Sequence, residues 1–446
     1  MRAVALALGA VFVASCSRRS SPEPLTITFV DPEWAHDPSG LGNLSPDTRL
    51  EGFTRQTGIR VKHAPMPEGA LDQLEVVREQ LRTSPSPELY SIDVFWPGIL
   101  SEQFLDLKPL LPKELSLMNP DVVASYTVNG KLVAVPYAVD FGALYYRADL
   151  LREYGYAKPP QTWDELESMA ARIQQGERAK GHGDFWGFVW PGAADEGLTC
   201  NALEWQGAEG GGSILEKDGT VSVNNPHAIR AWQRAAHWVG SISPRSVTSY
   251  QEWDAINLFF GGKAAFYRGW ALSYFAGFGG KAIDKEKFGI AHIPAGKGGQ
   301  AATLGGFGLG IPQTSVHVAE SLKLMQYLVA NELAYAEERQ RAGSANFAFP
   351  DFRGNGLSGG LVARPSAAAG VKYEEVDHAY INALHAVLTG EAKAPEAAAA
   401  LEKELVRITG FKTGPPSRTI GGVGEREKEG TPGQASDRRQ SNGERP

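Results

Sequence analysis

The stretch VPYAVDFGALYYRADLLREYGYAKPPQTWDEL, residues 135–166, decides how this chain is organised. It opens as an apolar strand, passes through Tyr137-Ala138-Val139-Asp140-Phe141-Gly142, and resumes as a second strand-like run, Ala143-Leu144-Tyr145-Tyr146-Arg147. No hairpin signal of the Asn-Gly kind separates the two runs. The expected geometry is therefore one extended segment that leaves one sheet and enters another. Pro159-Pro160 then bars helix, and Thr162-Trp163-Asp164-Glu165 has the form of a capping box. From there Trp163, Leu166, Met169, Ala170 and Ile173 recur with the helical period, so a helix follows the crossing.

Working outward, 446 residues are too many for one ordinary core and point to two domains. A net charge of −7, with no basic run outside the C-terminal tail, argues against a nucleic-acid partner. An apolar share of 42% excludes a wholly disordered chain. Before the crossing, strand Leu25 to Val30, helix 45–57, strand 59–64, helix 70–82 and strand 91–95 alternate, which predicts a parallel sheet with right-handed crossovers. Ligands of such sheets sit outside the carboxyl ends of the strands. Asp31 and Trp34 follow the first strand, and Asp93 and Trp96 lie at the end of the third. A carboxylate accepts hydrogen bonds from two vicinal hydroxyls while an indole covers the apolar face of a pyranose, so each pairing suits a sugar. Trp34 equally fits a core or rim aromatic. Asp93, inside an apolar strand, needs a partner or a ligand, and a helix N-cap is its other reading.

After the crossing, Asn225-Pro226 gives an N-cap with proline at N1. A helix Glu252 to Phe260 stops at Gly261-Gly262, and strand Lys263 to Trp270 ends at an indole beside Gly269, where something approaches the backbone closely. The run Leu304-Gly305-Gly306-Phe307-Gly308-Leu309-Gly310 returns the chain to the first half; its glycines match neither the dinucleotide nor the P-loop spacing. Ser315 is expected to cap a helix through Leu328, with a second helix starting at Asn331. Helices Tyr373 to Leu388 and Pro395 to Ile408 follow, and beyond Gly410 the apolar pattern is lost, as in a disordered tail.

At the other end, Arg2 and the apolar run Ala3 to Ala14 form a targeting segment too short to span a bilayer as a mature helix. It ends Val13-Ala14-Ser15-Cys16, which resembles a bacterial lipobox whose cysteine carries the lipid; an ordinary signal peptide is the alternative. With Cys16 lipidated, Cys200 is the only remaining thiol, no intramolecular disulfide can form, and Cys200 reads as a small buried hydrophobe.

Residues 134–170, together with Ser91-Ile92-Asp93-Val94-Phe95-Trp96-Pro97-Gly98, the helix and glycine turn Ala202 to Gly212, the strand ending at Trp270, the glycine run 304–310 and Val362-Ala363-Arg364-Pro365, resemble the extracellular solute-binding proteins of carbohydrate ABC importers. The likeness is to the disaccharide-binding members of the trehalose and maltose type and runs from about Leu25 to Gly410. It implies an α/β, two-lobe periplasmic-binding-protein-like fold of type II, each lobe a mostly parallel sheet flanked by helices, with the ligand between the lobes. The implied division is a signal peptide at 1–16, a tether at 17–24, lobe one at 25–139 plus 306–345, lobe two at 140–305 plus 346–410, and a tail at 411–446. It also implies Trp270 as the main stacking tryptophan, Asp93 and Arg364 as sugar contacts, and backbone N–H groups of Gly306 and Phe307 facing the cleft. Trp34, Trp96, Tyr137, Asp140, Trp190 and Glu204 complete the implied ligand-binding set. The implied partners are a di- or oligosaccharide and the membrane permease subunits. The implied state is a monomer, extracytoplasmic and held to the membrane by a lipid on Cys16. No cofactor, metal or catalytic residue is expected. Hinges are expected at 138–142, 305–310 and 342–347.

Enzyme readings compete with this one. Gly356-Leu357-Ser358-Gly359-Gly360 matches G-x-S-x-G, but no buried strand precedes it as a nucleophile elbow requires. His378 and His385 would stand about 10 Å apart along a helix, too far for one metal. A glycoside hydrolase, which also needs carboxylates in an aromatic cleft, is the serious rival. A lipid tether with two lobes and three crossings is what a capture protein needs and a hydrolase does not. A sensory partner of a signalling receptor would keep the same cleft and change the docking surface.

Overall fold

The computed structural model describes residues 24–32, 46–67, 69–83, 85–274, 285–343, 347–354, 356 and 360–417. The expectations at Trp34, at Leu357 to Gly359 and at the signal segment with Cys16 fall outside these residues.

Strands β1 (Thr26–Pro32), β2 (Arg60–Met66) and β3 (Leu89–Asp93) pair in parallel and are joined by helices α1 (Pro46–Thr57) and α2 (Ala70–Arg82). This is the first lobe. The quoted stretch becomes a single 13-residue strand, β4 (Val135–Arg147). Its first half pairs with the returning strand β8 (Ala302–Gly310), up to Phe141 opposite Leu304. From Gly142 onward it pairs instead with β6 (Ala264–Trp270) and β7 (Phe288–His292) of the second lobe. Strand β5 (Trp186–Val189) flanks β6 in parallel, and β9 (Leu361–Val362) flanks β8. The nine strands thus form one path, β2-β1-β3-β8-β4-β6-β5, with β7 on β4 and β9 on β8. Its outer pairs are parallel, whereas both crossing strands run antiparallel to their main neighbours.

Gly142, where the partner changes, is glycine for a steric reason. A β-carbon there would lie 1.8 Å from Glu204 Oε1 and 2.6 Å from Arg268 Nη2, so only glycine lets the strand pass the ion pair beneath it. On the other crossing strand, Gly306 has φ +103°, and a β-carbon would meet Ala138 O at 1.9 Å.

Two buried apolar clusters lie on either side. One contains Ile27, Phe29, Leu74, Val77 and Ile92 and continues along β4 to Tyr145 and Tyr267; the other contains Trp163, Leu166, Trp205, Trp232, Trp238 and Leu384. Helices α3 (Trp163–Ala179), α4 (Glu196–Ala208), α5 (Pro226–Trp238), α6 (Glu252–Phe260), α8 (Tyr373–Thr389) and α9 (Ala394–Thr409) cover the second lobe. Every residue of α4 is buried. Thr162 caps α3 by accepting from Glu165 N at 3.2 Å, but Glu165 returns its bond to Gln161 N at 2.6 Å, one residue before the N-cap.

Two expectations are corrected. The chain after Ser315 forms one helix, α7 (Val318–Ala342), and not two. No proline or glycine interrupts it, and Asn331 sits inside it, its amide donating to Tyr327 O at 2.7 Å instead of starting a new helix. The ordered chain also runs past Gly410: Lys412–Thr413 pair in parallel with Thr220–Val221, and residues are described through Ser417. Among the described residues no helix is long and apolar enough to cross a membrane.

Candidate functional site

Asp93 closes β3 and pairs across the ladder with Phe307 of the returning strand, while Val94 N donates to Gly306 O at 3.1 Å. Its Oδ1 accepts from Phe95 N at 3.2 Å, so it anchors the turn into the short helix Pro97–Leu100 as well as facing the other lobe. From that lobe comes Arg364, two residues past β9. Its Nη2 donates to Asp93 Oδ1 at 3.4 Å and to Leu304 O at 3.3 Å, its Nη1 donates to Glu196, and its guanidinium lies 4.9 Å from the Phe95 ring. Gly98 N donates to Ser366 Oγ at 3.0 Å, and Arg78 of α2 pairs with Glu374 of α8 at 2.6 Å. These contacts join the two lobes.

Trp270 ends β6 with its indole against Gly305 of the returning strand. Its Nε1 donates to Glu252 Oε1 at 2.6 Å, and its carbonyl accepts from Tyr145 Oη at 2.8 Å. One face of the indole is covered by the Arg268 guanidinium, 4.4 Å from the ring centre. Arg268 is fully buried and grips Glu204 through two bonds, Nε to Oε2 at 3.0 Å and Nη2 to Oε1 at 2.7 Å. Thr303 N adds a third bond to Glu204 at 3.1 Å. Asp140, at the middle of β4, accepts from Phe141 N at 2.8 Å and from Leu272 N at 3.1 Å.

The electrostatics follow from burial. Loss of water raises the Asp93 carboxyl against the pull of Arg364, with Glu196 pushing the same way as burial. Asp140 is pushed up to about 7 by burial, opposed by its two backbone donors and by Arg268. Burial likewise raises Glu252, against the Trp270 hydrogen bond. Among the described residues, Arg364 Nε, Arg268 Nη1 and Tyr126 Oη are buried donors with no hydrogen-bond acceptor. Carboxyls, a guanidinium and an indole gathered at one junction, the Asp93 and Arg364 side chains buried and the indole partly open, are suited to an uncharged molecule rich in hydroxyls.

Asp93, Asp140, Trp270, Gly306, Phe307 and Arg364 come together around the crossing strands. Other expected residues lie deeper. Trp96 is fully buried in the first lobe, edge-on to Phe95. Tyr137 points into that lobe, where Arg49 Nη1 donates to its hydroxyl. Trp190 packs edge-to-face on Trp205 at 5.0 Å and donates to Ser243 Oγ, inside the second lobe. Glu204 is enclosed with Arg268. Asp31 is buried in β1 and accepts from Ser91. Cys200 is buried, its thiol facing Glu196. Sequence reasoning missed Arg268, Glu196 and Glu252. A signal for the first was present: a charge inside the apolar strand Ala264–Trp270 demands a buried counter-charge.

The model for the bacterial extracellular solute-binding proteins matches residues 46–335. The chain belongs to that family. A probable ABC transporter-binding protein of Deinococcus radiodurans is 37% identical over 427 residues, covering 92% of this chain and 98% of the relative. Among solved structures, maltose-bound MalE3 of T. maritima superposes with a TM-score of 0.73 at 31% identity, over 86% of this chain and all of that one. A Thermotoga lettingae solute-binding protein bound with α-D-tagatose gives 0.71 at 20% identity, covering 86% of this chain and 99% of its own; at that identity the likeness speaks for the fold. Members of the family are binding proteins and not enzymes, so the hydrolase reading falls and the two-lobe α/β architecture stands.

Proposed function

We propose that this protein is the substrate-binding component of an ABC-type sugar importer, and that it captures a disaccharide of the maltose or trehalose kind between its lobes. The observation that carries the reading is the meeting of Asp93 from the first lobe with Arg364 from the second, beside the Trp270 indole. A sugar touching all three gains contacts only when the lobes are closed, which is how a ligand shifts an open–closed equilibrium. The maltose carried by the T. maritima structure and the name of the Deinococcus relative support the cargo and the transporter partner.

In this reading Asp93, Asp140, Trp270, Arg364 and the backbone at Gly306 and Phe307 contact the sugar, with Trp34 at the rim. Trp96, Tyr137, Trp190 and Glu204 hold the frame behind them. The lobes divide at 139/140, 305/306 and 345/346. The protein works as a monomer outside the cytoplasm, tethered by lipid on Cys16, and hands its cargo to membrane permease subunits. Fatty-acid labelling that persists in Cys16→Ala would remove the tether.

The test of the cargo is a thermal-shift screen with maltose, trehalose and longer glucosides, followed by calorimetry on any hit. A ligand that binds only the folded state raises the midpoint by mass action. No shift with any sugar would overturn the reading.

A further inference from the structure

We infer that Glu252 is a positioning residue for ligand binding: its carboxylate fixes the plane of the Trp270 indole so that one face alone is offered to the cleft. The inference rests on the sugar-binding reading of Trp270 and goes beyond it by asking what holds the ring.

A tryptophan at the end of a strand has two free torsions, and a stacking platform works only when both are settled before the ligand arrives. Four groups settle them here. Glu252 Oε1 takes the indole N–H at 2.6 Å. Arg268 lies flat against one ring face at 4.4 Å, the geometry of a cation–π contact. Arg268 cannot drift, because Glu204 holds two of its nitrogens and is held in turn by Thr303 N. On the returning strand, a β-carbon at Gly305 would lie 2.5 Å from the six-membered ring of Trp270, so the indole packs directly on the backbone. Of these four, only Glu252 touches the ring by a directional bond.

Its own support is local. Gln251 precedes it as N-cap of α6, with Gln251 N donating to Asp254 Oδ2 at 3.0 Å, so the first turn that presents Glu252 is fixed. A charge-assisted bond from an N–H to a carboxylate is short and strong, which fits the observed separation. Arg268 and Glu252 therefore act as a vice: one presses the ring face, the other pins its edge. The ligand meets what Arg268 and the Gly305 backbone leave open of the ring, which sets the approach of a pyranose to a single side.

The experiment combines affinity for maltose with the indole N–H resonance of Trp270, assigned by its loss in Trp270→Phe. Glu252→Ala should weaken maltose binding about tenfold or more, the scale of one lost hydrogen bond to a charged group. Glu252→Gln, which keeps the acceptor oxygen, should stay within about threefold of the parent. In the Trp270→Phe background, where no N–H remains, Glu252→Ala should cost nothing further. In the sugar-free protein, Glu252→Ala should move the Trp270 N–H signal toward the position of a solvent-exposed indole, while Glu252→Gln leaves it near its original place. Equal losses from Glu252→Ala in both backgrounds would overturn the inference, since they would mean that Glu252 acts on the ligand directly. An unmoved indole signal in Glu252→Ala would overturn it too. If maltose binds neither parent nor variants, the sugar reading fails by itself, and the indole signal still decides whether Glu252 positions the ring.

Discussion

Two buried arginines, Arg268 and Arg364, solve the same electrostatic problem in opposite ways. Arg268 meets a single carboxylate as a fork, and both partners belong to the second lobe, each fully enclosed. Arg364 divides its nitrogens. One goes to Glu196 in its own lobe, and the other reaches Asp93 in the first lobe at a loose 3.4 Å. A charge pair inside one lobe never sees water once the chain has folded, so its desolvation is a cost of folding. A pair that spans a cleft regains water whenever the lobes part, so its desolvation is a cost of closing. On the proposed capture of a ligand between the lobes, the first is framework and the second is part of the moving junction.

The sharpest break of this comparison is Glu204→Gln. It takes from the Arg268 guanidinium the one carboxylate that it grips through two bonds, and removing one partner of a buried pair costs about 3–5 kcal/mol. Urea unfolding should show the loss with or without sugar. A loss below about 1 kcal/mol would mean that water reaches Arg268, and the distinction between the two arginines would collapse.

Next in size is Arg364→Ala, whose effect should fall on binding and closure and little on folding. Without Arg364, Asp93 and Glu196 repel each other across the junction, and opening rehydrates both. The folding loss should stay under about 2 kcal/mol, while sugar affinity falls by about 30-fold, the scale of an interface anchor. Small-angle scattering should show a larger radius of gyration than the parent at equal sugar. If Arg364→Ala unfolds as readily as Glu204→Gln, the junction is framework after all.

How much of this was legible beforehand differs between the backbone and the site. The lobe crossing was readable because a 13-residue apolar run without a turn has one economical geometry, and helix α6 was readable to the residue because Gly261-Gly262 end it. Asp93 could be named because a carboxylate inside an apolar strand needs an explanation, and Arg364 because its segment resembles the one that carries the family's sugar-contacting arginine. What could not be read was depth. Trp96, Trp190 and Trp270 look alike as strand-end indoles, yet the first two are fully buried and only the third keeps a partly open ring. Depth depends on what packs from elsewhere in the chain, such as Ser243 on Trp190 and Arg268 on Trp270. The same blindness split α7 in two, since a mid-helix asparagine looks like a cap until its amide is seen bonded one turn back.

Asp140 lies on the strand between the two arginines and gives a pH test of the comparison. Burial raises its carboxyl to about 7, well above the ordinary value near ~4. For a raised carboxyl the folded state holds the proton more tightly. Its stabilising contribution is therefore complete below pH ~4 and is lost as pH rises through about 7. Asp140→Asn mimics the protonated form and keeps an oxygen for Leu272 N and Phe141 N. It should match the parent at pH ~4 and exceed it by about 1 kcal/mol at pH ~8, with the gap opening between those values in urea titrations. A gap of the opposite sign would show that Arg268 stabilises an ionised Asp140, and would make the crossing strand part of the Arg268 ion-pair system.

The smallest effect belongs to the second contact between the lobes, Arg78 with Glu374. It has the better geometry of the two, with separations of 2.6 and 3.3 Å against 3.4 Å for Arg364 with Asp93. If distance alone ranked these contacts, the outer pair would hold the lobes together. Exposure reverses the ranking: the two side chains are 24% and 31% exposed, and Arg78 also holds Glu75 of its own helix at 2.6 Å. Water screens the pair in both the open and the closed form, and Arg78 has a substitute partner once Glu374 is gone. Such pairs contribute about 0–1 kcal/mol. Glu374→Gln should therefore change sugar affinity less than about threefold in dilute buffer, and the difference should vanish near ~1 M salt, where the screening length falls to about 3 Å. Calorimetry at the two salt concentrations measures both statements. An effect as large as that of Arg364→Ala, or one that survives high salt, would place the closing contact on the outer rim of the lobes and leave the buried arginine with no special part in closure.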